Sequence, residues 1–160
     1  MKAKWEVPEY EINDFRPRRS KYCLCIPVIN EGEKIKKELM RIDSIGINRD
    51  IDIIICDGGS TDDSLNETFM KLMDVKTVLL KKGNGKLSAQ LRMGYSYALN
   101  AGYEGIVTID GNNKDSVESI SLFIEKLEKK YDFIQGSRFI KGGEAINTPK
   151  IRHLAVKLIH

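Results

Sequence analysis

The chain has 160 residues, 41% hydrophobic and 31% charged, which is enough for one domain with one sizeable core and too apolar for a disordered segment. A net charge of +3 is mildly basic: it does not by itself imply nucleic acid, and phosphate-bearing small molecules or an anionic surface suit it equally. No apolar run approaches the roughly 20 residues of a membrane span, and the polar N-terminus carries no signal-peptide pattern.

Residues 1–20 are charged, with Trp5, Pro8, Tyr10, Phe15 and Pro17 and no periodicity. They read as an N-terminal extension, either packed on the body by its aromatics or mobile, ahead of a domain at 21–160. A fully buried strand is expected at 22–26 and ends at Pro27, which cannot donate to a ladder. A helix then runs to about residue 45, with Ile35, Leu39 and Ile42 on one face. The second strand, at 51–56, ends in Asp57-Gly-Gly-Ser-Thr-Asp62, where Thr61 or Asp62 can cap a helix with Leu65, Phe69 and Leu72 inward. The third strand, at 75–80, leads through Lys81-Lys-Gly-Asn-Gly-Lys86 into a helix whose inner face is Ala89, Tyr95, Ala98 and Leu99, with Gly94 allowing close approach.

The fourth strand, at 105–109, stops at Asp110-Gly-Asn-Asn-Lys-Asp115. An amphipathic helix follows at 116–130, repeating Val117, Ile120, Ile124 and Leu127. A fifth strand is expected at 133–137, with Arg138 directly after it, then a Gly142-Gly143 loop and a helix from Pro149. Cys23, Cys25 and Cys56 fall inside strands, and Cys23 and Cys25 are too closely spaced for a redox or zinc pair, so they read as buried, reduced core thiols of a cytosolic protein. The alternation predicts an α/β fold: one doubly wound, mostly parallel sheet with helices on both faces and right-handed crossovers.

Each expected strand ends in a polar or glycine-rich cluster, and in such a sheet all of them share one edge, where ligands bind. No Gly-x-Gly-x-x-Gly follows the first strand, and Gly83-Asn-Gly-Lys86 lacks the spacing of a P-loop, so this is neither a dinucleotide-binding protein nor a P-loop protein. A phosphate on this edge would be handled by a divalent cation and basic side chains.

The ordered motifs Ile26-Pro27-Val-Ile-Asn30-Glu31, Asp57-Gly-Gly-Ser-Thr-Asp62, Gly85-Lys-Leu-Ser-Ala89 with Gly94, Asp110-Gly-Asn112 and Gly136-Ser-Arg138-Phe resemble the GT-A-fold family-2 glycosyltransferases. The branch resembled is that of the polyprenyl-phosphate sugar synthases. The resemblance covers residues 22 to about 158 and implies a nucleotide-sugar donor (UDP- or GDP-linked), a diphosphate held through Mg²⁺ or Mn²⁺, and inversion at the anomeric carbon. It implies a polyprenyl phosphate or glycan acceptor, lipid-linked or cell-envelope sugar synthesis, and a place in the cytoplasm at the membrane face.

Residue by residue, the resemblance puts Pro27, Asn30, Glu31 and Asp57 in the base and ribose pocket and Lys86 beside a phosphate. Asp110, Gly111 and Asn112 take the family's Asp-x-Asp position, with Asp110 and Asn112 as metal ligands. Asn112 replaces a carboxylate by an amide, which removes one negative charge and predicts weak metal binding. Lys114 stands where this branch often supplies a neutral ligand and would add positive charge against the leaving diphosphate. Arg138 and Arg152 match arginines that contact donor or acceptor phosphate. The catalytic set is Asp110, Asn112 and Arg138.

Family members run well past residue 160, so the chain reads as C-terminally truncated, with an apolar face that would favour self-association. The competing readings are a catalytically impaired nucleotide-sugar-binding domain and a nucleotidyltransferase.

Overall fold

Seven consecutive buried residues, Tyr22–Val28, form the strand around which the sheet is built. A computed structural model describes residues 6–137 and divides the chain into two compact units, Met1–Lys130 and Tyr131–His160. In the first unit the elements are β1 (Tyr10–Asp14), β2 (Tyr22–Val28), α1 (Glu33–Ser44), β3 (Asp52–Asp57), α2 (Glu67–Leu72), β4 (Val75–Lys81), α3 (Leu87–Asn100), β5 (Gly105–Thr108) and α4 (Ile120–Glu128). The sheet order is β1-β4-β3-β2-β5. Strands β2 to β5 are parallel and β1 is antiparallel at one edge. The predicted doubly wound fold is therefore present. Its strand order reverses between β2 and β5, the place where such sheets open a crevice.

Alternate residues of β2 feed two cores. Leu24, Ile26 and Val28 pack with Ile35, Leu39 and Ile42 of α1, Met70 of α2 and Val117 and Ile120 before and in α4. Cys23 and Cys25 pack with Cys56, Leu79 and the α3 residues Met93, Tyr97 and Ala98. The three thiols are free and buried, as expected. A Cβ added at Gly94 would collide with Cys56 Sγ, so this glycine lets α3 sit close on the sheet. Pro27 lies inside β2 rather than after it. It is tolerated because the β5 ladder stops at the Cys25–Thr108 pair, leaving one ladder at that level.

Several expectations need correction. Within the expected extension, residues 10–14 form a strand that the absence of periodicity did not announce, and it packs on the body by pairing with β4. Helix α2 starts at an Asn66 cap, whose Oδ1 accepts from Phe69 N–H at 3.0 Å, not at Thr61 or Asp62. Leu72 is 70% exposed and Leu99 53% exposed, whereas Ala89 and Ala98 are buried and Leu65, Phe69 and Tyr95 pack against the core as expected, joined inward by Met70, Met93 and Tyr97. Residues 131–137 form no strand: only Phe133-Ile134 is strongly apolar, and Phe133 is 81% exposed. Arg138, the Gly142-Gly143 loop, the helix from Pro149 and Arg152 lie outside the described residues.

The segment before β2 is held by one buried acid. Asp52 Oδ1 accepts from Arg16 Nη1 at 2.5 Å, and Oδ2 accepts from the backbone of Arg19 and Ser20 and from Tyr103 Oη at 2.9 Å. Burial alone would raise its pKa, but these donors hold the carboxyl below the usual carboxylate range. The Asp52→Ala variant leaves Arg16 and Tyr103 without that partner and is expected to lose about 3–5 kcal/mol, read as a lower urea midpoint at unchanged slope.

Candidate functional site at the carboxyl edge of the sheet

The loops after β2, β3 and β5 meet beyond the strand ends. Val28 is level with Asp57 in the β2–β3 register. Gly111 packs against the other side of β2, where an added Cβ would come within 2.9 Å of Val28 Cγ2 and 3.1 Å of the Pro27 carbonyl oxygen. Pro27 and Val28 thus lie between Asp57 on one flank and Asp110-Gly111 on the other. The Val28 carbonyl accepts from Gly58 N–H and from Gln90 Nε2, each at 2.8 Å, and Gln90 Nε2 also reaches the Cys56 carbonyl at 2.8 Å. One buried amide on α3 therefore ties the ends of β2 and β3 together.

The polar residues of the first two loops organise each other. Asp57 Oδ1 accepts from Gly59 N–H (3.0 Å), Ser60 N–H (2.8 Å) and Ser60 Oγ (2.7 Å). Asn30 is left-handed at φ 50°, and its Oδ1 accepts from Thr61 N–H at 2.7 Å while its N–H donates to Ser60 Oγ. Asp62 does not cap a helix: it joins the loops by accepting from Gly32 N–H at 2.8 Å and from Ser64. Ser64, foremost, holds the Asp62 carboxyl below its ordinary pKa. Glu31 pairs with Lys34 at 2.9 Å. Lys86 is exposed at the residue preceding α3.

The loop after β5 is pinned along its length. Asp110 N–H donates to Asp115 Oδ2 at 3.0 Å, and Lys114 N–H donates to Asn112 Oδ1 at 3.1 Å. Among the described residues no donor reaches the exposed Asp110 carboxylate. Asn113 is left-handed at φ 58°. Its N–H donates to Glu38 Oε2 at 2.6 Å, and its Oδ1 accepts from Arg41 Nη1 at 2.8 Å.

Residues 23–158 match the family described as Glycosyl transferase family 2. The chain belongs to that family. It is similar to a dolichol-phosphate mannosyltransferase of Pyrococcus furiosus, 30% identical over 143 residues that cover 86% of this chain and 38% of the relative. It is also similar to a polyprenol monophosphomannose synthase of Mycolicibacterium smegmatis, 25% identical over 127 residues, 78% of this chain and 47% of the relative. This family-2 chain thus spans less than half the length of either relative. No helix among the described residues is long and apolar enough to cross a membrane.

For a family-2 chain, the donor set after β5 suits a cation held mainly by a nucleotide's phosphates. Mg²⁺ usually takes one or two carboxylates plus phosphate oxygens rather than a closed protein cage. Asp110 offers an exposed carboxylate, and the Asn112 amide oxygen keeps a lone pair beyond its turn bond to Lys114. Among the described residues no three His, Cys, Asp or Glu side chains converge on one point. A cleft of about 420 Å³ lies at the opposite end of the strands, lined by Ser20, Lys21, Tyr22, Asp50 and Glu128. It is spanned by a Lys21–Glu128 ion pair and has none of the strand-end acids, so it is not the candidate site.

Sequence reasoning missed Glu38, Arg41 and Gln90. The signal for two of them was a polar residue on an apolar helical stripe: Glu38 stands beside Ile35, Leu39 and Ile42, and Gln90 beside Ala89 and Met93. Glu38 is fully buried, and burial foremost raises its pKa to about 7. The Asn113 N–H and Arg41 oppose that rise, while Asp115 and Asp110 add to it; Glu118 faces the same turn through its ion pair with Arg41. A raised acid contributes full stability below its ordinary pKa and loses it as pH climbs through about 7. Parent protein is therefore expected to lose on the order of 2 kcal/mol more than Glu38→Gln between pH 5 and pH 8, allowing for solvent near the loop, as measured by urea unfolding at each pH.

Proposed function

We propose that this edge binds a nucleotide-diphosphate sugar and that the protein transfers the sugar, with inversion, to a polyprenyl phosphate or glycan acceptor. The observation that carries the reading is the alignment of Asp57 and Asp110-Gly111 on either side of the Pro27-Val28 strand end. Pro27, Asn30, Glu31 and Asp57 line the base and ribose pocket. Asp57 fits that role because its three loop donors all take Oδ1. Lys86 stands beside a phosphate. Asp110 and Asn112, with Gly111 between them, would hold Mg²⁺ or Mn²⁺ for the diphosphate, and Lys114 would add positive charge. When bound, the cation neutralises charge on the departing diphosphate. Arg138 and Arg152 are assigned to donor or acceptor phosphate from the sequence motif alone, since a guanidinium can donate two parallel hydrogen bonds.

A phosphate monoester acceptor is already about −2 at neutral pH and needs little help from a general base. Its oxygen attacks C1 in line; the new C1–O bond forms as the bond to the diphosphate breaks, and the electron pair leaves with the nucleoside diphosphate. A polyprenyl phosphate acceptor is anchored in a bilayer, and the action is assigned to the cytoplasmic face of a membrane on that ground. A second reading, a nucleotide-sugar-binding domain without transfer, is favoured by Asn112, whose oxygen already serves a turn. Family membership gives the nucleotidyltransferase alternative no support.

Titration calorimetry with UDP- and GDP-sugars, with and without Mn²⁺, tests this. One nucleotide sugar should bind, more tightly with Mn²⁺, and Asp110→Ala should remove most of the Mn²⁺-dependent gain. No nucleotide binding at all sinks the proposal. Equal binding with and without the ion removes the metal assignment, and binding without transfer selects the second reading.

A further inference from the structure

We propose that Glu38, assisted by Arg41, is the positioning residue for the ligand loop after β5. It sets the backbone beside Asn112 so that Asp110 and Asn112 can act on one cation. The inference deepens the reading above and rests on it.

Helix α1 would fold at least as well with an apolar residue at position 38. Its inward stripe is otherwise Ile35, Leu39 and Ile42, and Glu38 puts a fully buried carboxyl among them. Only half of that carboxyl is satisfied: Oε2 accepts from Asn113 N–H at 2.6 Å, and Oε1 is buried with no partner among the described residues. A half-satisfied buried carboxyl costs stability relative to a well-packed hydrophobe. Its contribution has to be sought in what Oε2 holds.

What it holds is the residue next to a candidate ligand. Asn113 adopts the left-handed conformation, which is unfavourable for a residue with a Cβ unless local bonds support it. Two contacts from adjacent turns of α1 supply that support, Glu38 to the N–H and Arg41 Nη1 to Oδ1. At the other end of the loop Asp115 fixes Asp110 N–H, and Gly111 rests on Pro27 and Val28. The loop is thus held at 110, 111 and 113, and Asn112 lies between two fixed points. A pair of ligands with one carboxylate and one amide has little charge to draw a cation, so their spacing has to be set in advance. Helix α1 sets it from beneath, with no contribution of its own to the coordination.

Calorimetry on the 160-residue chain tests this with the nucleotide sugar that binds the parent and with Mn²⁺ as the ion, together with amide hydrogen exchange at Asn113. Glu38→Ala should weaken the Mn²⁺-dependent affinity by about tenfold or more, leave the affinity without Mn²⁺ within about twofold, and speed exchange at Asn113. Glu38→Gln keeps an acceptor oxygen and should stay within about threefold of the parent. Arg41→Ala loses only the side-chain bond to Asn113 and a half-exposed ion pair with Glu118, and should weaken the Mn²⁺ arm by about threefold. If Glu38→Ala does not fold, Arg41→Ala and Glu38→Gln carry the test: an Mn²⁺ arm unchanged in Arg41→Ala overturns the inference. Parental affinity in Glu38→Ala overturns it, as does an equal loss with and without Mn²⁺, or Glu38→Gln behaving like Glu38→Ala. A parent that binds the nucleotide sugar while these variants fail the pattern refutes only this inference. A parent that binds none refutes the proposed function and this inference with it.

Discussion

The arrangement depends on the carbonyl oxygen of Val28. It sits at the end of β2, which has parallel partners on both sides, and it accepts from Gly58 N–H in the next loop and from Gln90 on α3. A buried carbonyl must be satisfied. Here that requirement fixes three elements at once, because the same Gln90 nitrogen also reaches the Cys56 carbonyl. Gly58 has no room for a Cβ against that side chain, which would approach to 2.9 Å. The spacing between the first two loops of the rim is therefore a matter of backbone hydrogen bonding, and the loops inherit their positions from it.

The rim residues serve local structure and chemistry together. Asp57, Asn30, Asp62 and Asn112 each accept backbone N–H bonds from their own or a neighbouring loop. Such bonds let irregular backbone stand at a strand end without orphaned donors, and they hold the oxygens still. Reading these side chains as loop supports and reading them as ligand contacts are thus compatible, since a carboxylate with one oxygen fully engaged can present the other.

How much of this was legible in the sequence varied with the physics of each element. Strands β2 and β3 were plain because burial on both faces makes them near-continuous apolar runs, and each stops where the rim begins. Strand β1 was not: Tyr-Glu-Ile-Asn-Asp is mostly exposed, and its stability comes from the β4 ladder and ion pairs such as Lys82–Glu11, which no local pattern announces. The late start of α2 escaped because Asp62 and Asn66 offer the same capping chemistry, and only the fold decides that Asp62 is spent on Gly32. Leu72 and Leu99 were placed inward although each stands in the last turn of its helix, where the chain is leaving the core and an apolar side chain can face solvent. At the site, Asp57 and Asp110 were legible as acids at strand ends. Glu38 and Gln90 were visible only as interruptions in a stripe, and their partners are backbone groups that a one-dimensional pattern does not contain.

The antiparallel strand at the border has a consequence of its own. β4 would otherwise end the sheet with a row of open amide and carbonyl groups. Tyr10–Asp14 occupies that row, with Asp14 reaching Lys76 and Tyr97, so the cover is fastened to the side chains it protects. Its exposed residues include the acids Glu11 and Asp14 beside Ile12. Proteolytic clipping after Asp14 that releases this strand would leave the candidate rim untouched yet turn β4 into a template for strands of other molecules, so that copies assemble edge to edge.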